Sequence, residues 1–224
     1  LVPADQQDLF DLGVEAFRLS RACGSWVGVR IVTAVADGVA AVDTGIDRFP
    51  AGDPEVVVDG RPWRHEPAAG ILGGGLEELW LDRRLRAAQA WVTARRLDRT
   101  VGAPGGARLG VVCAGKTYRD VLGALEACGL GPDDLAGAGI RILKLALTYP
   151  VAPAGVLELS AAVDEILVVE EKRPFVEQQV RALLHEAGHT TPVRGKRDAA
   201  GDALVPTAGE LTAGRALAAG EPVT

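Results

Sequence analysis

Three runs in the second half of the chain, LGVVCA (109–114), ILKLALTY (142–149) and EILVVEE (165–171), are apolar nearly throughout. A strand can be apolar on both faces only when both are covered, which is the situation of a parallel strand in an α/β layer. The segments TYRDVLGALEAC, AGVLELSAAV and PFVEQQVRALLHEA alternate with these runs at helical spacing, and a short TTPV follows. Strand and helix in alternation predict a small α/β domain over residues 101–200, a parallel sheet with helices on both faces joined by right-handed crossovers. The helix ends have local reasons. Thr117 is placed to cap the first helix with Asp120 three residues on, Pro174 suits a first turn, and Gly129 and Gly188 suit left-handed stops.

Upstream the pattern is less regular. DQQDLFDLGVEAFRLSRA (5–22) sets Leu9, Leu12, Ala16 and Leu19 at helical spacing, and WVGVRIVTAV (26–35) reads as a buried strand. One helix and one strand cannot close a layer by themselves. Residues 1–45 are therefore expected to be the tail of a domain whose first part lies elsewhere, an expectation that fits a chain opening on Leu1 with no methionine. Residues 46–75 read as a connecting arm, with a hairpin turn at Asp59–Gly60 inside VVVDGRPW. Residues 76–100 predict a linking helix whose buried side carries Leu79, Trp80, Leu85, Ala88 and Val92. VGAPGGAR (101–108) reads as a glycine-rich break and a poor strand, and 201–224 as an exit segment.

The composition excludes several classes. A net charge of -6 with scattered basic residues gives no footprint for nucleic acid. No apolar run is long enough to span a bilayer and no basic leader precedes one, so a cytoplasmic location without membrane contact is expected. Cys23, Cys113 and Cys128 form no C-x-x-C pair and read as reduced packing residues.

Two motifs carry sharper chemistry. GVVCAGKT (110–117) fits G-x-x-x-x-G-K-[ST] at every position. In a phosphate loop, however, a strand precedes the first glycine and the four variable residues wrap the phosphates. Here Val111, Val112 and Cys113 belong to the strand itself. Gly115, Lys116 and Thr117 would still sit at a helix N-terminus, which can hold an anion. Farther on, HEAGH places His185, Glu186 and His189 in the zinc-peptidase spacing, with Glu210 a conceivable third ligand. Gly188 and Thr190–Pro192 predict that the helix stops there, swinging His189 away from the face of His185. His65, in the arm, has no visible partner.

The order of segments resembles the thiamine-diphosphate-dependent 2-oxoacid:ferredoxin oxidoreductases, most closely the bacterial indolepyruvate ferredoxin oxidoreductases with fused subunits. The likeness is carried by FRLSRACGSWVGVRIVTAVADGVAAVD, RLGVVCAGKTYRDVLGAL, RILKLALTYPVAP, EILVVEEKRPFVEQQV and VRGKRDAAGDALVPTAGEL, and runs across nearly the whole chain. EEKRPF after a strand, with GKRD following it, is its most specific part. The resemblance implies that residues 1–45 end a thiamine pyrimidine-binding domain, and that 101–200 are a domain similar to the C-terminal domain of transketolases. The parent enzyme would use thiamine diphosphate, magnesium and iron-sulfur clusters, with ferredoxin and coenzyme A as partners. This chain has no GDG motif and no cysteine cluster, so no catalytic residue carries over. The implied partners are the remaining domains or subunits, with a homodimer possible.

Chain direction brings AGKTY, TYP and EEKRP to the carboxyl edge of the sheet, where open α/β sheets meet ligands. The candidate binding or interface residues are thus Gly115, Lys116, Thr117, Tyr118, Glu170, Glu171, Lys172 and Arg173. A solvated rim, a contact with another domain or subunit, and an anion site at Lys116 all remain open.

Overall fold

A computed structural model describes residues 1–65 and 75–214. The chain divides into two units, Leu1–Leu97 and Asp98–Thr224.

The first unit opens on helix α1 (Gln6–Cys23), started by the Asp5 carboxylate accepting the Asp8 N–H at 2.8 Å and stopped by Gly24 at φ 73°. Its inner face buries Leu12, Ala16, Leu19 and Cys23. The predicted strand over WVGVRIVTAV does not form. Trp26 is exposed, residues 26–32 belong to no strand, and the short helix α2 (Thr33–Ala36) follows. Apolarity alone does not make a strand. Its backbone meets Leu1, whose terminal ammonium donates to Gly28 O while its own carbonyl accepts from Arg30 N–H, and no described strand lies beside it.

A 3₁₀ turn (Ile46–Arg48) leads to the hairpin of β1 (Val57–Val58) and β2 (Arg61–Pro62). Asp59 and Gly60 both take positive φ, 55° and 72°, as a two-residue turn matching strand twist requires. Over the span 76–100 a helix forms as α3 (Leu76–Glu78), a π-helical stretch (Leu79–Arg84) and α4 (Leu85–Arg95), and stops there, short of residue 100. Ala88 and Val92 are buried as expected, together with Ala87 and Trp91, while Leu79 and Leu85 are only half-buried and Trp80 is exposed. The wider π turn accounts for that miss, because it rotates the residues before Leu85 off the 3.6-residue register. Glu15 of α1 and Arg95 of α4 form a buried ion pair, with Arg95 Nε donating to Glu15 Oε2 at 3.1 Å.

In the second unit, strands β3 (Arg99–Gly102), β4 (Ala107–Ala114), β5 (Ile140–Leu145), β6 (Val163–Val168) and β7 (Val193–Arg194) form one sheet in the order β3-β5-β4-β6-β7. The β4, β5, β6 and β7 pairings are parallel, whereas β3 runs antiparallel to β5. Strand β3 was not expected. Its residues RTVG are short and bear charge, and an edge strand paired on one side does not need the continuous apolarity that marks its neighbours. Helices α5 (Lys116–Ala127), α6 (Pro153–Ser160) and α7 (Val176–Glu186) connect the parallel strands. One face packs α6 and α7 through Val156, Leu159, Val180 and Leu184 on Val112, Leu143, Leu145 and Ile166. The other packs Val121, Leu135, Val205 and Leu211 on Val111, Cys113 and Ile142.

Several local expectations change. Helix α5 starts one residue before Thr117, with Gly115 at the cap position, so Thr117 lies inside it and caps nothing. Pro174 precedes the first turn of α7 instead of entering it. Gly129 and Gly188 do take the left-handed conformation, at φ 78° and 72°. Cys128 is exposed at the end of α5 and is not a packing residue, while Cys23 and Cys113 are buried.

Candidate functional site

Because β4, β5 and β6 run parallel, their carboxyl ends open on one edge, at Gly115–Tyr118, at the loop after Leu145, and at Val169–Arg173. The phosphate-loop match resolves here. Val111, Val112 and Cys113 pair with Ile142, Leu143 and Lys144 on one side, and Val111 and Val112 with Leu167 and Val168 on the other. Their N–H groups serve the sheet, so the motif cannot wrap a phosphate, and the nucleotide reading falls.

Lys116 instead turns toward residues near the end of the chain. Its Nζ donates to both Asp120 oxygens at 3.0 Å and to Leu211 O at 2.9 Å, with Glu210 Oε1 at 3.2 Å. Burial alone would lower the Lys116 pKa, but Asp120 and Glu210 hold the ammonium and raise it. Burial pushes the Asp120 carboxyl up, with Glu171 and Glu210 adding to it against the pull of Lys116. Tyr118 is half-buried, its ring 5.3 Å from Lys144 Nζ.

The EEKRPF loop is equally occupied. The Glu170 carboxylate accepts the N–H groups of Phe175, Val176 and Glu177, and so caps α7 from outside the helix. Glu171 Oε1 accepts the Leu211 N–H at 2.8 Å, and Lys172, at φ 61°, donates from Nζ to Gly209 O at 2.6 Å. Arg173 is exposed. Lys196, in GKRD, is buried and reaches Glu170 O and, at 3.1 Å, Pro206 O. Burial lowers its pKa against the opposing charges of Glu170, Glu177 and Glu171. Gly195 beside it permits a close approach, since an added Cβ would fall 2.2 Å from Glu177 Oε2. That same Glu177 oxygen accepts the Lys196 N–H at 2.9 Å.

At this edge Lys116, Glu171 and Lys172, and the backbone carbonyl of Glu170, are bound to the segment 196–211, most of which falls in the exit segment 201–224. Leu204 and Val205 donate their N–H groups to Lys196 O and Gly195 O, and Val205 and Leu211 are buried. The only local trace of this in the sequence is the two apolar residues set among glycine, proline and threonine.

Two further anchors were also missed. Gln179 of α7 donates to Thr148 O at 2.9 Å and accepts from Val151 N–H at 3.0 Å, fixing the loop whose Tyr149–Pro150 bond is cis. Tyr149 and Phe175 are exposed beside each other, ring centroids 6.0 Å apart. Asp98 accepts the Ala146 N–H at 2.8 Å, and burial pushes its carboxyl up to about 6.

The zinc reading also falls on geometry. Helix α7 ends at Glu186, and Gly188 turns the chain so that His189 Nδ1 meets Ser160 Oγ at 2.9 Å. Ser160 Oγ in turn contacts Thr191 Oγ1 at 2.8 Å, which ties α6 to the approach of β7. His185 stays on the exposed last turn of α7 and Glu210 lies beside Lys116. Among the described residues, no three His, Cys, Asp or Glu side chains gather as a ligand set. His65 packs in the first unit against Gly24, where an added Cβ would fall 2.2 Å from its Nδ1. It borders a cleft of about 740 Å³ whose walls mix Arg21 and Arg64 with Asp53 and Glu55, a lining that selects no single ligand charge. No described helix is long and apolar enough to cross a membrane.

Residues 98–219 match the family model described as "Indolepyruvate oxidoreductase domain". The indolepyruvate oxidoreductase subunit IorA of Methanothermobacter thermautotrophicus is 31% identical over 206 residues, covering 88% of this chain and 30% of that protein. The subunit of the same name from Thermococcus kodakarensis is 35% identical over 114 residues, 50% of this chain and 16% of its own length. The chain therefore spans less than a third of the curated relatives it matches. Among solved structures, a 2-oxoglutarate:ferredoxin oxidoreductase from Magnetococcus marinus aligns with TM-score 0.38 and 16% identity over 55% of this chain and 20% of that one. A split-gene transketolase aligns with TM-score 0.37 and 23% identity over 54% of this chain and 39% of its own.

Proposed function

The chain belongs to the indolepyruvate oxidoreductase domain family, and from that premise we infer that it is one portion of a 2-oxoacid:ferredoxin oxidoreductase, contributing architecture and contacts. The observation that supports this is the family match itself, which begins at residue 98, where the second unit begins. In this reading the whole enzyme takes indolepyruvate or a similar 2-oxoacid, removes carbon dioxide and passes electrons to ferredoxin, with coenzyme A receiving the acyl group. It works in the cytoplasm.

The residues of this chain do not fit the implied cofactors. Cys23 and Cys113 are buried in different units, Cys128 is exposed, and burial pushes the Cys113 thiol up to about 12, far from the thiolate that an iron-sulfur cluster needs. The sequence has no GDG motif for magnesium and thiamine diphosphate. In this proposal those groups belong to other segments, and no catalytic step is assigned to this chain.

The contact face is proposed at the carboxyl edge, around Gly115, Lys116, Thr117, Tyr118, Glu170, Glu171, Lys172 and Arg173. Most of these charges are already engaged within the chain. Arg173 and the exposed Tyr149–Phe175 pair are therefore the groups left to face the remaining domains, a neighbouring subunit or a second copy. The test is indolepyruvate-dependent reduction of ferredoxin in the presence of coenzyme A. Activity is expected from the assembly with all its domains and none from this chain alone. An assembly containing this chain that consumes no 2-oxoacid would overturn the assignment.

A further inference from the structure

We propose that in the whole protein a β-strand runs into Leu1, parallel to residues 26–31, and that 26–31 form the strand beside it. The backbone bonds at Leu1 carry the argument. Leu1 N donates to Gly28 O at 2.7 Å, and Leu1 O accepts from Arg30 N–H at 2.9 Å. In a parallel pair each bonded residue reaches the two residues that flank the one opposite, whereas an antiparallel pair exchanges both bonds between the same two residues. Leu1 is therefore one rung of a parallel ladder, set opposite Val29.

The surroundings of Leu1 agree. Leu1, Val2 and Ala4 are buried, as the inner end of a strand is. Burial first, and then the charge of Arg30, lower the pKa of the terminal ammonium, so a cation is poorly placed where an uncharged amide N–H could make the same bond to Gly28 O. The next rung would fall at Pro3, which has no N–H to give, and the ladder ends there. Asp5 then starts α1, and Gly24 turns the chain back into 26–31. Strand, helix and parallel strand in this order make a β-α-β unit with α1 as its crossover. The same register sets the residue two before Leu1 opposite Val27, where it would donate to Trp26 O and accept the Gly28 N–H. Neither group has a hydrogen-bond partner among the described residues. Trp26 and Ile31 are exposed, although a run apolar on both faces is one that a sheet covers on both. Chain is available for the part, since this one covers 30% of its 31% identical relative. The inference rests on reading the chain as one portion of a longer protein, and not on the reaction which that protein performs.

Hydrogen exchange read at single amides by fragmentation mass spectrometry tests it, comparing the 224-residue chain with the whole protein. Gly28 should exchange as an unbonded amide in the 224-residue chain and about tenfold or more slowly in the whole protein, with the Arg30 amide protected in both. A Gly28 amide equally fast in both would overturn the proposal. So would a Gly28 amide that slows in the whole protein while Arg30 loses its protection, because the rung at Leu1 would then be broken. Protection of Gly28 that grows with the concentration of the 224-residue chain would make a second copy the partner, and overturn it too. The path ahead of Leu1 is tested by acetylating its amino group alone. The urea midpoint near neutral pH should hold or rise, since the new amide N–H keeps Gly28 O and removes a charge that burial opposes. A clear drop would mean that no chain can lead into Leu1 along this line. A whole protein that protects Gly28 yet consumes no 2-oxoacid would sink the proposed activity and leave the strand in place.

Discussion

Asp98 is half-buried, but its carboxyl group is turned inward to accept the N–H of Ala146, and the loss of water around it outweighs the N–H groups of Ala146 and Leu147 that favour its charged form. Its usual value of 3.8 becomes about 6 in the fold. Between those values the folded chain keeps a proton that the unfolded chain has released, so this group makes stability fall as pH rises, and the loss is complete above about 6. The shift corresponds to at most about 3 kcal/mol, less whatever its water-facing side regains. Urea midpoints from about pH 4.5 to about pH 7.5 should therefore decline more steeply in wild type than in Asp98→Asn, and parallel curves would show that the carboxyl is not held protonated. Nothing near Asp98 in sequence announces this role, since its partner is forty-eight residues away. Glu170 is similar at shorter range. It caps a helix that begins six residues later, beyond the reach of the usual capping patterns.

At the scale of elements, helices were more legible than strands. The inner face of α1 follows from its own spacing, and Leu12, Ala16 and Leu19 are buried as that spacing requires. WVGVRIVTAV and RTVG failed in opposite senses, the first apolar yet unpaired as a strand, the second charged yet paired. A strand is made by its neighbour, and the neighbour is not written beside it. The Glu15–Arg95 pair shows the same limit, joining α1 to α4 across eighty residues. Its energetics are testable. Glu15→Ala should destabilise the first unit by about 3–5 kcal/mol by leaving a buried guanidinium unpaired, whereas Glu15→Leu with Arg95→Met should be near neutral. A double variant as unstable as the single one, read by chemical denaturation, would mean the pair does more than satisfy its own charges.

For the whole molecule, β4 at the centre of the sheet has parallel partners on both sides and an apolar cluster on each face. Amide exchange should accordingly be slowest at Val111, Val112 and Leu143 and faster in the edge strands β3 and β7, and edge amides as slow as those of β4 would contradict this order of stability. The amino-acid order by itself determined the α/β alternation, the hairpin at Asp59–Gly60, the left-handed stops at Gly129 and Gly188, and the family likeness. Each of these depends on neighbours a few residues away or on the plain succession of segments. Only the tertiary structure decided that HEAGH breaks apart, that the phosphate-loop letters lie in a sheet, and that Lys116 closes on Leu211, ninety-five residues later. The reason is physical: an ammonium finds its carboxylates and carbonyls through space, and local spacing in a chain carries no record of which distant segment the fold will bring to it.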